Sequence, residues 1–210
     1  MSTDYNRQIA GQSIERLAAL SDGVFAVAMT LLVLDLKAPA VEAIHGEGDL
    51  WRALVTLAPR LLVYFMSFLT LGLFWLGQQT QLNLLARGDR NLSWIHLIFL
   101  LDVTLMPFST GLMAEFIAYR VALLAYWANI LLLGLALFAS RRYALAAGLV
   151  RDDAEGDRSR WIEREIMTAQ VLCAFGALLC IVNTYWSITF IVLVQLKYVV
   201  APRIGFLSRL

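Results

Sequence analysis

Long apolar stretches constrain this chain more than any other feature of its sequence. A bilayer core about 30 Å thick needs roughly 20 mainly apolar residues per helix. Six stretches approach or reach that length, at residues 17–36, 54–76, 92–112, 116–138, 166–183 and 186–200. Soluble domains have about 45–50% apolar and about 25% charged residues, whereas here 60% are hydrophobic and 16% charged. The sequence therefore predicts an all-α membrane protein with six transmembrane helices per subunit, folded as one domain over residues 1–210.

The basic residues indicate how these spans are oriented. Most of the 17 Lys and Arg residues fall near residues 7–16, 87–90, 141–164 and 197–209, which alternate spans would bring to one side of the membrane. Because Lys and Arg accumulate on the cytoplasmic side, we expect both termini to be cytoplasmic. The charged segment 141–165 is then predicted to be a cytoplasmic connector.

Enzyme and cofactor chemistry finds no support in the sequence. There is no phosphate-binding loop, zinc-ligand spacing, nucleophile elbow or dinucleotide fingerprint. Cys173 and Cys180 are separated by about two helical turns, or roughly 10 Å, too far for a disulfide within one helix. The chain also lacks the Thr-Val-Gly-Tyr-Gly type of re-entrant loop whose carbonyls select potassium. We therefore predict a non-enzyme with no metal and no cofactor.

The first span combines an apolar stripe with a carboxylate on a different side. At about 100° per residue, four positions recur at helical spacing on one stripe, namely Val27, Thr30, Leu31 and Leu34. Asp22 lies about 140° around the helix from Val27. A carboxylate inside a span is costly unless it faces protein or water, so Gln78 and Gln79 are candidate partners. Simple helix packing for the stripe, and an interfacial position for Asp22, remain open.

The segment from Arg16 through Leu20-Ser21-Asp22-Gly23 resembles a known signature. In bacterial relatives of transmembrane protein 175, the lysosomal potassium channel, an Arg is followed after three residues by Phe-Ser-Asp-Gly at the head of the first helix. Further matching positions lie in the second and third spans, at Tyr64, Ser67, Phe68, Trp75, Asn91, Trp94, Pro107, Phe108 and Thr110.

This resemblance implies a potassium-favouring cation channel in the bacterial inner (plasma) membrane, assembled as a homotetramer. The first helix of each subunit would line a central pore, with K⁺ as the permeating ion and a hydrophobic constriction instead of a carbonyl filter. The implied constriction consists of Val27, Thr30, Leu31 and Leu34. The implied network that fixes the helix consists of Arg16, Ser21, Asp22, Gly23, Gln78 and Gln79. Asp35, near the outer mouth, is either a cation-concentrating charge or simply a charge that faces the following loop.

The sequence departs from the family pattern in three respects. Leu20 replaces the usual Phe, and Val27 is smaller than the Ile or Leu common at the constriction. Gln78 and Gln79 occupy a region where relatives often place His. If no protonatable group replaces that His, we expect weak pH dependence of the current between about pH 5 and 8.

Two alternatives to a channel stay open on the sequence. One is a proton-coupled secondary transporter that uses Asp22, Asp102 and His96 as a relay, because ionisable groups within spans often form proton pathways. The other is a non-conducting membrane scaffold that docks a partner on segment 141–165.

Overall fold

The chain folds into long helices joined by short connections. A computed structural model describes residues 2–151, with side chains from residue 14, and residues 168, 171–172, 174–176, 178–179 and 186–194. The α-helices are α1 (Ser2–Leu31), α2 (Glu47–Thr56), α3 (Ala58–Asn83), α4 (Arg90–Glu115) and α5 (Arg120–Ala146). Short 3₁₀ segments at Leu32–Asp35 and Val41–Ala43 follow α1.

The predicted number of transmembrane helices is wrong. Within the described residues, four helices are long and apolar enough to cross a bilayer: Ile14–Asp35, Ala58–Asn83, Arg90–Glu115 and Arg120–Ala146. Most of the predicted span 166–183 and residues 195–200 of the predicted span 186–200 lie outside the described residues, as do Cys173, Cys180 and most of segment 141–165. Both stretches were at or below the usual length of a spanning helix. Apolar composition alone therefore does not establish six transmembrane helices.

The segment between the first two spans contains a helix that the sequence did not suggest. Helix α2 begins after Gly46 and has Glu47 and Asp49 in its first turn, where carboxylates interact favourably with the helix dipole. Leu57 separates it from α3, and Pro59 lies in the first turn of α3, where a missing backbone donor costs least. The second span therefore begins at Ala58, four residues later than predicted.

Helix α4 is the centre of the bundle and packs against α1, α3 and α5. Its buried residues include Phe99, Val103 and Met106, which share one apolar core with Phe25 of α1 and Tyr126 of α5. Pro107 lies inside α4. Helix α1 thus packs on the central helix by one side only.

The α3–α4 connection is tied to the chain that follows α5. Leu85 and Val150 form an antiparallel bridge, with Ala86 N donating to Leu149 O at 2.8 Å. Gly148 has φ of 59°, a left-handed conformation that glycine adopts readily. These contacts bring the end of α3, the start of α4 and the end of α5 to one end of the bundle.

Candidate functional site

Helix α1 has a buried side that holds it in the bundle. Ser21, Phe25, Ala28 and Leu32 are all at most 2% exposed. Their spacing of three or four residues follows the α-helical repeat, so they form one stripe. This stripe contacts the core shared with α3, α4 and α5.

The other side of α1 is apolar and uncovered. Val27, Leu31 and Leu34 are 57%, 43% and 67% exposed. The open face, as we call it, consists of Leu20, Gly23, Val27, Thr30, Leu31 and Leu34. Part of it lines an open groove of about 450 Å³ that is closed on one side by Thr104 of α4. The sequence-predicted stripe is therefore not used for packing against the described part of its own chain.

Thr30 is the hydroxyl residue of the open face. Its Oγ1 donates to the carbonyl oxygen of Val27 at 2.8 Å. A threonine hydroxyl has one hydrogen and two lone pairs, so this bond leaves the oxygen able to accept. The exposed side of Thr30 consequently offers an electron-rich oxygen.

Asp22 is held by two donors from α3. Trp75 Nε1 donates to Asp22 Oδ1 at 2.8 Å, and Gln79 Nε2 donates to the same oxygen at 2.7 Å. Hydrogen bonds to a carboxylate are stronger than those between neutral groups. Gln79 was a candidate partner from sequence, but Trp75 was recognised only as a family mark. Trp75 lies four residues before Gln79 and therefore on the same side of α3. This spacing could have indicated from the sequence that both side chains donate to Asp22.

Ser21 begins a second set of contacts that crosses the bundle. Gln78 Nε2 lies 2.8 Å from Ser21 Oγ and 3.3 Å from His96 Nδ1, and Ser140 Oγ lies 3.1 Å from His96 Nε2. These four side chains are at most 4% exposed. We call them the four-helix chain, since they come from α1, α3, α4 and α5. The sequence did not predict that His96 and Ser140 belong to this chain. The imidazole comes from α4, whereas the family pattern has a histidine in the span that corresponds to α3.

Two other predicted network residues make no comparable contacts. Arg16 is exposed and has no hydrogen-bond or ion-pair partner among the described residues. A Cβ built on Gly23 would meet nothing within 4 Å, so that glycine is not required for close helix packing there. Gly23 instead lines the groove of the open face.

Asp35 faces α4. A Cβ built on Gly111 would lie only 2.8 Å from Asp35 Oδ2, so the carboxylate lies directly against this glycine. The 3₁₀ segment Leu32–Asp35 explains the direction: residues three apart eclipse each other in a 3₁₀-helix, so Asp35 follows the buried Leu32. Asp35 is therefore turned away from the stripe formed by Val27, Thr30, Leu31 and Leu34.

A third buried polar cluster lies between α4 and α5. Asn129 Nδ2 donates to Asp102 Oδ1 at 2.6 Å, and Ser109 Oγ donates to Asn129 Oδ1 at 2.9 Å. Among the described residues, Asp102 Oδ2 is buried without a hydrogen-bond partner. No group of three His, Cys, Asp or Glu residues suited to a metal ion occurs in the described part of the chain.

The comparisons with known proteins agree with the resemblance seen in the sequence. Residues 16–107 match the family model described as endosomal/lysosomal potassium channel TMEM175. A protein of Streptomyces collinus named as a potassium channel is 40% identical over 102 residues, which are 49% of this chain and 48% of that protein. A potassium channel of Chamaesiphon minutus is 36% identical over 110 residues, or 52% and 54% of the two chains. The human relative, named as an endosomal/lysosomal proton channel, is 34% identical over 100 residues, or 45% of this chain and 20% of its own.

The fold is similar to a solved structure over nearly the whole chain. The crystal structure of a lysosomal potassium-selective channel TMEM175 homologue from Chamaesiphon minutus matches with a TM-score of 0.80 at 24% identity, covering 90% of this chain and 98% of that one. By sequence, the chain spans about half the length of the bacterial relatives it matches. The predicted resemblance is confirmed: this is a multi-pass helical membrane protein with the TMEM175-type fold, and the relatives named above are channels and not enzymes.

Proposed function

We propose that this protein is a potassium-favouring cation channel in which the open face of α1 lines the conduction path. This proposal rests on the two different sides of α1. One side is buried and is held by polar contacts, and the other side is apolar and exposed. Residues 16–107, which contain the open face, match the family model, and two relatives named as potassium channels match about half of the chain. The permeating ion would be K⁺, and no cofactor is required.

The proposed assembly is a homotetramer in a bacterial inner membrane, with both termini in the cytoplasm. Exposed apolar residues on one helix face suit a surface that lies between subunits or lines a pore. Four copies of the open face around one axis would place Val27, Leu31 and Leu34 in successive rings. Val27 and Leu31 are four residues apart, so their rings would be separated by about 6 Å along the axis.

The proposed constriction is the ring of Val27. A narrow ring of apolar side chains admits a hydrated ion only at a cost and can close by dewetting. The hydroxyl oxygen of Thr30, which points its hydrogen at the Val27 carbonyl, would replace part of the hydration shell beside that ring. Asp22 and Ser21 would keep the helix in a fixed rotation through their contacts with α3.

The test is ion flux through purified protein in proteoliposomes, with single-channel recording under a potassium/sodium gradient. Val27→Ala should raise K⁺ flux by about two- to tenfold or weaken discrimination against Na⁺, and Val27→Phe should lower flux by about tenfold, a change of 1.4 kcal/mol in barrier height. Val33 supplies a matched control, because it is the same residue type on α1's continuation, is 47% exposed, and is not part of the open face. If the Val33 variants change flux as much as the Val27 variants, or if none does, the open face does not line the path.

The same recordings distinguish the transporter alternative. A channel gives ohmic single-channel currents, whereas a proton-coupled transporter gives flux that saturates and follows the proton gradient. The expectation of a weak pH dependence assumed that no protonatable group replaces the histidine missing from α3. His96 of α4 brings an imidazole to Gln78, so that assumption does not hold.

A further inference from the structure

The four-helix chain links α1, α3, α4 and α5 in series through side-chain hydrogen bonds. Each link is between buried groups that water does not reach. A buried polar group left without a partner costs about 1–3 kcal/mol, so the direction of every hydrogen bond in the series matters.

The direction is fixed at the α1 end. Ser21 Oγ lies 2.8 Å from the carbonyl oxygen of Leu17, and a carbonyl oxygen only accepts. The single hydroxyl hydrogen of Ser21 is therefore used on Leu17, and Ser21 Oγ accepts from Gln78 at 2.8 Å. The Gln78 atom that faces Ser21 must then be the amide nitrogen.

That assignment decides the state of the imidazole. The same Gln78 nitrogen faces His96 Nδ1 at 3.3 Å, and an amide nitrogen only donates. His96 Nδ1 must therefore be an acceptor without hydrogen. In a neutral imidazole the hydrogen is then on Nε2, which faces Ser140 Oγ at 3.1 Å and donates to it.

We propose that His96 is a positioning residue for α1, and that it performs this role only as the neutral imidazole with its hydrogen on Nε2. The other amide atom of Gln78, Oε1, has no hydrogen-bond partner among the described residues. Only Ser21 and His96 therefore orient the amide plane, and loss of either acceptor frees Gln78 to rotate away from α1. This inference rests on the proposed function to the extent that α1 is the conducting helix.

The tautomer is directly measurable, independently of ion flux. The chain has two histidines, and His45 lies exposed in the segment after α1. In the variant His45→Gln, His96 therefore gives the only imidazole nitrogen signals. Nitrogen-15 spectra of this variant in lipid should show hydrogen on Nε2 and none on Nδ1. Gln78→Met, which keeps the side-chain shape and removes the amide, should weaken that preference. A ring with hydrogen on Nδ1 or on both nitrogens, or a spectrum unchanged by Gln78→Met, overturns the assignment.

Two substitutions of His96 separate its two nitrogens. In Asn the amide oxygen lies close to the position of Nδ1 and can accept from Gln78, whereas in Gln the amide reaches the position of Nε2 and contacts Ser140 only. His96→Asn should therefore retain K⁺ flux within about twofold, while His96→Gln and His96→Leu should lose about tenfold, equivalent to 1.4 kcal/mol. A merely structural requirement for a polar group would not favour Asn over Gln.

Ser109→Ala is the matched control, since Ser109 is a buried hydroxyl on α4 in a separate cluster, and it should leave flux unchanged. Equal flux from the Asn and Gln variants, or an effect of Ser109→Ala as large as that of His96→Leu, overturns the positioning role. Absence of any K⁺ flux from the wild-type protein overturns the proposed channel function, while the nitrogen-15 spectra still decide the tautomer.

Discussion

The pair formed by Asp102 and Asn129 offers a quantitative test of how this bundle is stabilised. Asn129 Nδ2 donates to the Asp102 carboxyl at 2.6 Å and to the Asp102 backbone oxygen at 3.1 Å. Both side chains are buried, and Asp102 Oδ2 has no further partner in the described part of the chain. We therefore propose a double-mutant cycle with Asp102→Leu, Asn129→Leu and the double substitution.

The magnitudes follow from what each substitution leaves behind. Asn129→Leu removes the donor and leaves a buried carboxyl without a partner, which should cost about 2–4 kcal/mol of unfolding free energy. Asp102→Leu should cost about 1 kcal/mol, because Asn129 keeps its bonds to the Asp102 backbone oxygen and to Ser109. In the double variant no polar group is stranded at this contact, so the total loss should be below the sum by about 2 kcal/mol.

Equilibrium unfolding in mixed micelles with increasing denaturing detergent, followed by circular dichroism, provides the measurement. Asn83→Leu is the control, an exposed amide at the end of α3 where a change within about 0.5 kcal/mol is expected. Hydrogen bonds between transmembrane helices average only about 0.6 kcal/mol because the unfolded chain also finds partners in the membrane. A coupling energy at or below that average would refute the argument that Asn129 prevents a stranded carboxyl.

Two further substitutions test contacts of α1 and its continuation. Gly111→Ala should give no net stabilisation, because the added Cβ would displace the Asp35 carboxylate. Gly72→Ala is the comparison: its Cβ meets nothing within 4 Å, so it should stabilise the protein by about 0.5–1 kcal/mol. Thermal melts of both variants measure the difference. Trp75→Phe removes one donor to Asp22 and should lower the free energy of unfolding by about 1 kcal/mol. In an Asp22→Ala background the same substitution should lower it no further. Equilibrium unfolding measures both, and an equal loss in the two backgrounds would contradict the contact.

Because a regular helix turns by a constant angle, helical periodicity predicted one stripe of α1, but it did not predict the buried side. The spacing of Val27 and Leu31 placed them on one stripe, and both are exposed in the fold. The α-helical repeat does not continue to Asp35, because Leu32–Asp35 tightens to a 3₁₀ segment. Four residues at three per turn rotate about 80° further than in an α-helix, and no residue in this segment marks the change.

The sequence predicted Gln79 as a partner of Asp22, but it did not predict the contact between Gln78 and His96. The distance from His96 to Gln78 depends on how α4 packs against α3, and no local pattern encodes it. The number of spans failed for a different reason: hydropathy reports composition, whereas membrane crossing requires continuous helical length. The first four predicted spans each overlap a helix of sufficient length, while 166–183 and 186–200 were the shortest candidates.

The transporter alternative requires a proton relay through Asp22, Asp102 and His96. The hydrogen bonds of these three residues argue against such a relay. Proton transfer along a relay needs neighbouring groups joined by hydrogen bonds or bridging water. Asp22 is bonded to α3 through Trp75 and Gln79, and Asp102 is bonded to Asn129 of α5.

His96 belongs to the separate four-helix chain, and no hydrogen bond between described residues connects it to either carboxylate. These three residues therefore serve three different helix contacts, each of which fixes one helix against another. The proposed conduction along the open face needs no relay. It requires a helix whose rotation is fixed from one side while its other side stays free, and α1 has both properties because Ser21 and Asp22 are anchored to α3 while Val27 is exposed.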